Sequence, residues 1–259
     1  MDKIIDKIDQ LVDVMEPISL KEMDSIKLMN RIDKKYMINI NRLPLLLQMA
    51  ANDYYVQFTD GQRRFVYRSC YYDTPDADFY RIHQSGRLRR QKIRVREYVS
   101  SHLTFLEIKN KSNKGRTSKK RIEVPNTEVL DQETARAYID ANAEFGSCQI
   151  AKRLQNSFYR ITLVNKKKTE RLTIDIKINF ENYVTGISNC NPDLCIIEIK
   201  RDGNAPSPFL SYFTQLHIKG KGISKYCYGM MLTDPSLKRN RFKEKMRYIH
   251  KITMLNTDY

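Results

Sequence analysis

The chain changes its hydrophobic period near Phe65. Before that point, apolar residues recur with helical spacing at about 2–15, and again after Ser19 and around Pro44. Ser19 and Glu22 have the spacing of a capping box, and Pro44 suits the first turn of a helix. After Phe65, apolar and polar residues alternate, which is the period of a half-buried β-strand. The pattern predicts a helical beginning followed by a sheet.

Eight segments carry the strand pattern. Seven follow the change of period, at 65–74, 91–99, 103–111, 119–124, 157–164, 171–180 and 194–202, and an eighth precedes it at 31–40. Helical spacing returns between and after them. The predicted helices are at about 127–142, 147–154, 207–216 and 223–232, with a long basic helix from Pro235. The basic, polar segment 110–120 lies between two strands and is typical of an exposed hairpin tip.

The polar faces of these strands are charged. Lys92, Arg94 and Arg96 share one face of a predicted strand, while Ile93 and Val95 share the other. Like charges in one column repel, so the column is tolerated only in water or opposite an anion. The segment 171–180 behaves similarly. Its apolar face is Leu172, Ile174, Ile176, Ile178 and Phe180, and its polar face is Arg171, Thr173, Asp175, Lys177 and Asn179.

For any single strand, an ordinary half-exposed antiparallel sheet explains this pattern. Across eight strands the polar positions are systematically Arg and Lys with a few carboxylates, whereas ordinary solvent faces use much Thr, Ser and Gln. A closed barrel fits better, with apolar faces outward beneath helices and cations inward. The sequence therefore predicts an α+β fold: a closed, eight-stranded antiparallel β tunnel with a charged lumen, flanked by helices.

The composition of the chain indicates which kinds of binding partner to expect. The 259 residues include 46 Lys and Arg against 30 Asp and Glu, a formal charge of +16, which favours a polyanionic partner such as nucleic acid, an anionic membrane surface or phosphate-rich small molecules. No apolar stretch approaches the length of a transmembrane helix. The five cysteines form no CxxC pair and the four histidines are scattered, which argues against zinc or disulfides and favours the cytoplasm.

Eight motifs, in this order, resemble the VTC-type polyphosphate polymerase domain of the triphosphate tunnel metalloenzymes, a superfamily that includes the CYTH phosphatases and cyclases. They are RIDKKY (31–36), YYDTPDADFY (71–80), KIRVREY (92–98), FLEIKNK (105–111), SKKR (118–121), RLTID (171–175), IIEIK (196–200) and SKY (224–226). No single motif is specific for this family, but the occurrence of all eight in this order is. The resemblance divides the chain into an N-terminal amphipathic helical segment (1–24), the tunnel domain (25–232) and a basic C-terminal helix (233–259).

The resemblance implies an ATP-dependent, metal-dependent phosphotransferase that passes the γ-phosphate of ATP to a growing polyphosphate chain and releases ADP. The residues implied as catalytic are Lys35, Arg94, Arg96, Arg160 and Arg171. Those implied to bind phosphate are Lys109, Lys119, Lys225 and Ser224, and Glu198 would hold Mn²⁺ or Mg²⁺. ATP and polyphosphate are the implied partners, and simple anions such as phosphate or sulfate are expected to bind. The sequence identifies no membrane partner.

Several positions depart from the family pattern. CYTH hydrolases begin with Glu-x-Glu-x-Lys, where this chain has Arg31, Asp33 and Lys35. Losing the first acid favours transfer over hydrolysis. Gly222 replaces a family cation, and Phe158 replaces a tyrosine. Two alternatives stay open: a tunnel-fold triphosphatase acting on inorganic or nucleoside triphosphate, and a non-catalytic polyphosphate- or RNA-binding module. Nucleic acid is not expected, because the cationic strands lack aromatic platforms that stack bases.

Asp175 and Glu198 each have two interpretations. A carboxylate among so many cations either coordinates a metal or neutralises its neighbours. For Asp175 the sequence favours a structural salt bridge, whereas the family resemblance favours metal coordination for Glu198.

Overall fold

The computed structural model of the chain describes residues 2–24, 26, 31–114 and 116–254, and all structural statements below concern these residues. The helices are α1 (Asp2–Asp13), α2 (Leu20–Asp24), α3 (Leu43–Ala50), α4 (Asp78–Gln84), α5 (Glu133–Asn142), α6 (Pro208–Gln215), α7 (Lys225–Thr233) and α8 (Lys243–Met254). The strands are β1 (Pro17–Ile18), β2 (Arg31–Asn39), β3 (Tyr54–Gln57), β4 (Arg64–Asp73), β5 (Arg90–Tyr98), β6 (Leu103–Lys111), β7 (Thr117–Glu123), β8 (Ala151–Asn165), β9 (Glu170–Asn182), β10 (Ser188–Asn191) and β11 (Leu194–Asp202).

All eight predicted strands are confirmed, with small differences at their ends. They form one antiparallel path in the order β2-β11-β9-β8-β4-β5-β6-β7. Three short strands were not predicted: β3 pairs with β8, β1 pairs with β3 in parallel, and β10 pairs with β9. At four residues or fewer, these strands are too short to show a period.

The prediction of a closed tunnel is wrong. Strands β2 and β7 are the two ends of the path, and no pairing joins them among the described residues. The sheet curls into a half-barrel. Four strands separate β11 from β6 in the pairing order, yet Glu198 on β11 and Lys35 on β2 are near enough to Lys109 on β6 to affect its pKa, which burial lowers. Closure would place the exposed cations of β7, such as Lys119, beside those of β2, and like charges on paired strands repel.

The convex side of the sheet carries apolar residues beneath helices, as the alternation predicted. The side chains of β8, β9 and β11 pack against α1, α3 and α6; the contributing residues include Ile161, Ile174, Ile197, Ile8, Leu46 and Phe209. The strands β4, β5 and β6 pack against α5 through Cys70, Ile93, Leu106 and Ile139. Fully burying one such aliphatic side chain contributes about 1.5–3 kcal/mol, so these clusters hold the helices against the convex side of the sheet.

A bulge in β9 changes which side chains face inward. Register shifts between Ser157 and Tyr159 of β8, so β9 contains one extra residue there, and Lys177 has a φ of 50°. Ile176 therefore joins the convex core, whereas Ile178 joins a cluster on the concave side. The sequence placed both isoleucines on one face, and that assignment is wrong beyond the bulge.

Helix α7 packs against the concave side of the sheet. Its residues Tyr226 and Met230 belong to the same cluster as Phe158, Phe180 and Ile196. The approach is close, because a Cβ added at Gly229 would lie 2.4 Å from the Phe180 ring. One part of the concave face is therefore filled by an apolar helix, which the charged alternation did not predict.

Three helix predictions need correction. The segment 147–154 is not a helix throughout: a short 3₁₀ turn covers Ser147–Gln149, and β8 begins at Ala151. The basic helix expected from Pro235 begins at Lys243 instead, after a 3₁₀ turn at Asn240–Phe242. The helix predicted at about 127–142 is confirmed only from Glu133, after a 3₁₀ turn at Val129–Asp131. The other predicted helices are confirmed, including the Ser19–Glu22 capping box, in which Ser19 N donates to Glu22 Oε2 at 3.0 Å. No described helix is long and apolar enough to cross a membrane. The predicted boundary at residue 25 and residues 255–259 of the predicted C-terminal helix lie outside the described residues.

Candidate functional site

The first group of charges on the concave face centres on Asp175. The Arg160 guanidinium donates to both carboxylate oxygens, at 2.6 and 2.8 Å, and Lys225 at the start of α7 donates to Oδ2. Burial favours the neutral acid, but Arg160 and Lys225 hold the pKa of Asp175 well below its ordinary value. Asp175 is 3% exposed and forms the salt bridge that the sequence favoured. The Phe158 ring lies 4.4 Å from Lys225 Nζ.

The second group centres on Glu107 of β6. Arg94 on β5 contacts its Oε2 at 2.6 Å, and Lys119 on β7 pairs with Oε1. Burial would raise the pKa of Glu107, yet the charges of Arg94, Arg96 and Lys119 lower it to about 2. The hydroxyl of Tyr71 lies 3.5 Å from Arg94. Strand pairing brings the group together. Arg94 and Glu107 are register partners, and Lys119 is two residues from Arg121, the register partner of Glu107 on β7, so it lies diagonally across from Glu107 on the same face.

The third group lies on β11 and β2. Lys35 Nζ is 3.5 Å from a carboxylate oxygen of its register partner Glu198. Burial opposes the charge on Glu198, but Lys35, Lys200, Arg160 and Lys225 lower its pKa to about 2. Glu198 is therefore a carboxylate at neutral pH and the most loosely paired of the three acids. Asp33, the possible second acid, is held by Arg31 at 2.7 Å.

The remaining predicted residues occupy different surroundings. Arg96 is 7% exposed, donates to Ser69 Oγ at 3.2 Å, and lies over Tyr67. Arg171 donates to the carbonyl of Met23 on α2, so its hydrogen bond goes to backbone. Lys109 is exposed and has no ion-pair partner among the described residues.

Ser224 is the N-cap of α7, where its hydroxyl accepts from Cys227 N and from Lys92 Nζ, the latter at 2.8 Å. Ser224 and Lys225 thus present the beginning of α7 to the charged part of the concave face. Backbone N–H groups at a helix start favour an anion, which is compatible with the phosphate-binding role that the resemblance implies for these two residues.

Three further residues of this face were not among the site residues implied by the family resemblance. Lys92 and Lys200 are half-buried cations, and desolvation lowers the pKa of each to about 8. Burial raises the pKa of Tyr71, but Arg94, Arg96 and Lys92 lower it further than burial raises it. The alternation had already placed Lys92 in one column with Arg94 and Arg96. It also indicates Lys200, which shares a face with Glu198, and Tyr71, which shares a face with Ser69.

A divalent cation fits this face only together with a ligand. No group of three His, Cys, Asp or Glu in the described part of the chain could hold a metal alone. Mg²⁺ and Mn²⁺ commonly use one or two carboxylates plus phosphate oxygens of a substrate. Glu198 is charged and loosely paired, so it provides one such carboxylate, and Asp33 could provide a second if it left Arg31.

Comparison with known proteins decides the family. The family model for the VTC domain matches residues 30–233. The chain belongs to the VTC domain family. The resemblance stated from eight ordered motifs is thus confirmed. No curated protein matches this VTC domain chain.

Solved structures similar to the VTC domain described here share little sequence with it. A candidate adenylate cyclase from Bacillus halodurans has a TM-score of 0.49 at 15% identity, covering 83% of this chain and 100% of that chain. A candidate adenylyl cyclase from Hippeastrum, reported to have a dominant triphosphatase activity, has a TM-score of 0.48 at 14% identity, covering 78% and 95%. A third, a candidate adenylate cyclase from Vibrio parahaemolyticus, has a TM-score of 0.44 at 12% identity, covering 76% and 96%.

Proposed function

We propose that this VTC domain transfers the γ-phosphate of ATP to a growing polyphosphate chain with the help of Mn²⁺ or Mg²⁺. The observation that supports this most is the excess of cations on the concave face over the three carboxylates with which they form ion pairs. The cations are Lys35, Lys92, Arg94, Arg96, Lys109, Lys119, Arg160, Lys200 and Lys225, and the carboxylates are Glu107, Asp175 and Glu198. The surplus charge suits a ligand that is itself highly anionic.

Phosphoryl transfer needs this kind of site more than it needs a nucleophilic side chain. Positioning of the phosphates and neutralisation of the charge that develops on them supply most of the catalysis. Arg94 and Arg160 are held by carboxylates that use only part of each guanidinium, so their remaining N–H groups are oriented in advance. Lys109, which lacks an ion-pair partner in the described part of the chain, acts as a movable point charge.

A divalent metal would be held by Glu198 and phosphate oxygens, and it would neutralise the transferring group. The chain's own residues do the rest: Arg94 and Arg160 orient the phosphates, and Lys225 and Ser224 hold the end of the anion at α7. Arg96 lies over the Tyr67 ring and adds positive charge beside the phosphates. Arg171 adds positive charge at the end of the site near α2.

Transfer is favoured over hydrolysis by the beginning of β2. A hydrolase that activates water between metal ions needs clustered carboxylates. Here Arg31 occupies the position of the first acid and pairs with Asp33 at 2.7 Å, so this strand supplies no free pair of acids. The water-activating arrangement is therefore weakened while the phosphate-binding cations are kept.

The decisive experiment is product analysis with ATP and Mn²⁺. We expect ADP and polyphosphate to form in step, with little free phosphate. Stoichiometric release of phosphate would instead indicate a triphosphatase. Tight binding of polyphosphate without turnover would indicate a non-catalytic binding module. Either of these two results overturns the proposed polymerase activity.

Anion affinity should depend on pH. Lys92 has a lowered pKa of about 8 and faces Cys227, Tyr71, Lys35 and Lys109. It is charged below that pKa and loses its proton above it, so the affinity for tripolyphosphate should fall as the pH rises from about 7 to 9.5. Lys200 titrates over the same range.

Isothermal titration calorimetry at constant ionic strength measures this dependence. The matched variant is Lys92→Arg, which keeps its charge throughout the range and should show a shallower decline. An affinity that is unchanged between pH 7 and 9.5 in the wild-type protein would contradict the assignment of Lys92 and Lys200 to the anion site.

A further inference from the structure

The hydroxyl of Thr173 on β9 is buried without a hydrogen-bond partner among the described residues. Thr173 is 5% exposed, and its Oγ1 atom is shielded from solvent. The neighbouring Leu172 and Ile174 belong to the convex core, so the Thr173 side chain faces the concave side. A buried hydroxyl without a partner is unfavourable, because the group loses its hydrogen bonds to water on folding. The fold by itself therefore favours an apolar residue at this position.

Thr173 differs from the other unpartnered groups in its surroundings. In the described part of the chain, the uncharged side chains with a buried polar atom that lacks a partner are Thr59, Tyr138, Asn156 and Thr173. Tyr138 lies on α5, and Thr59 lies in the turn between β3 and β4. Asn156 is in register with Ser69 and Phe180. Thr173 alone among these four is in register with a carboxylate.

This carboxylate is Glu198. Thr173 and Glu198 are directly paired between β9 and β11. Both face the concave side, because Ile197 and Ile199 on either side of Glu198 belong to the convex core. Directly paired side chains have Cβ atoms about 4.5–5.5 Å apart. The ion pair of Glu198 is with Lys35, its register partner on the other side, at 3.5 Å. A hydroxyl and a carboxylate thus lie side by side without bonding to each other.

The chemistry of this pair suits a hard divalent cation. Mg²⁺ and Mn²⁺ bind carboxylate and other oxygen ligands, together with phosphate oxygens of a substrate. A Ser or Thr hydroxyl holds the Mg²⁺ beside the phosphates in P-loop NTPases, which shows that this residue type can serve. Glu198 is charged at neutral pH, and its negative charge disfavours a phosphate oxygen placed directly at Thr173.

We propose that Thr173 is a metal-binding residue, whose hydroxyl joins the Glu198 carboxylate in holding the divalent metal that accompanies the phosphates. This inference rests on the proposed function, because it adds a residue to the metal site of that function. Asp33 would first have to leave Arg31, with which it pairs at 2.7 Å. The Thr173 hydroxyl has no partner to leave among the described residues.

Thr173→Val distinguishes this role from a structural one. Valine has nearly the shape of threonine and lacks the hydroxyl. In the ligand-free protein, we expect the variant to unfold at the same urea concentration as the wild-type protein or at a higher one, because an unpartnered polar atom has been removed. A clearly lower urea midpoint would show that the fold itself uses the hydroxyl, and the inference would be overturned.

The decisive measurement is the affinity of the tripolyphosphate complex for Mn²⁺, followed by electron paramagnetic resonance. We expect Thr173→Val to lower this affinity about ten-fold or more, whereas Thr173→Ser, which keeps a hydroxyl, should stay within about three-fold of the wild-type protein. The matched control is Thr162→Val. Thr162 is the register partner of Thr173 on β8, faces the same side, and lies one strand further from Glu198. This control should leave the Mn²⁺ affinity nearly unchanged.

The other outcomes count against the inference or against the function on which it rests. Equal Mn²⁺ affinity of the wild-type protein and Thr173→Val overturns the inference, as does an equal loss in Thr162→Val, and the proposed function survives both. Weaker binding of metal-free tripolyphosphate by Thr173→Val also overturns it, because the hydroxyl would then hold phosphate. A wild-type tripolyphosphate complex that binds no Mn²⁺ contradicts the metal-dependent function itself.

Discussion

Asp175→Asn should lower the free energy of unfolding by about 3 kcal/mol or more in the absence of ligand. Asparagine has nearly the same shape as aspartate, so packing is kept and the charge is lost. Arg160 and Lys225, whose side chains are only 12% and 14% exposed, would then face each other without the carboxylate that both contact. Removing one partner of a buried ion pair costs more than the pair contributes, because the remaining charges stay desolvated.

Urea unfolding at pH 7 measures this loss. The matched control is Asp131→Asn, an exposed acid with no ion pair among the described contacts, for which the change should stay within about 0.5 kcal/mol. Millimolar tripolyphosphate should recover part of the stability of the Asp175 variant, because an anion bound at Arg160 and Lys225 replaces the lost charge. An Asp175 variant that unfolds at the same urea concentration as the control would contradict the assigned role.

The difference in stability between the wild-type protein and the Asp175→Asn variant should also depend on pH. Asp175 has a folded-state pKa below its unfolded value of about 3.9, so its contribution is fully present above that value. As the pH falls further, through the folded-state pKa, protonation removes the contribution. The stabilities of the wild-type protein and the Asn variant should therefore converge in strong acid.

The alternation of residue types along the strands predicted much of this site, because the face on which a side chain lies is determined within its own strand. A period of two fixes which neighbours share a face, so Arg94 and Arg96 could be placed on one side without knowing any partner strand. The same reasoning placed Asp175 among cations. The alternation also predicted the apolar convex face, because the apolar residues at every second position must be buried beneath other elements, here the helices.

What the alternation missed depends on contacts between distant segments. Glu107 joins Arg94 to Lys119 only because β5, β6 and β7 pair in one particular register, which single strands do not specify. Because of the bulge at Lys177, the residues after it point to the opposite side of the sheet from the one predicted. No residue type in 171–180 indicates a bulge. The prediction of a closed barrel was wrong for a related reason. Closure depends on the distance between the two end strands of the sheet, and no local sequence pattern determines that distance.

Helix α7 shows a further limit. Its sequence is apolar nearly all round, which predicts a buried helix without indicating where it is buried. The concave side was expected to be lined with charge throughout, yet Tyr226 and Met230 fill part of it. At the start of the helix, Ser224 contacts Lys92 and Lys225 contacts Asp175, while the Tyr226 hydroxyl donates to another buried carboxylate, Asp73.

Glu198→Gln should reduce metal-dependent turnover by about 10²-fold or more while leaving tripolyphosphate binding intact. Stabilising charge on the transferring group is the main catalytic contribution, and Glu198 is the carboxylate that we propose for the metal. Without metal, the variant should bind tripolyphosphate as tightly as the wild-type protein or more tightly, because a negative charge has left the site. Arg94→Ala should behave differently and weaken tripolyphosphate binding with and without metal.

The two roles considered for Glu198 separate in this experiment. If it only neutralises Lys35 and Lys200, the loss of its charge should leave turnover nearly unchanged, since the cations that bind phosphate remain. If it holds the metal, turnover falls and the affinity of the tripolyphosphate complex for Mn²⁺, followed by electron paramagnetic resonance, falls with it. Glu133→Gln, an exposed acid on α5, is the matched control and should change neither quantity. Near-wild-type turnover with Mn²⁺ in Glu198→Gln would refute the metal assignment and transfer it to Asp33, the nearest carboxylate on β2 that could leave its partner Arg31.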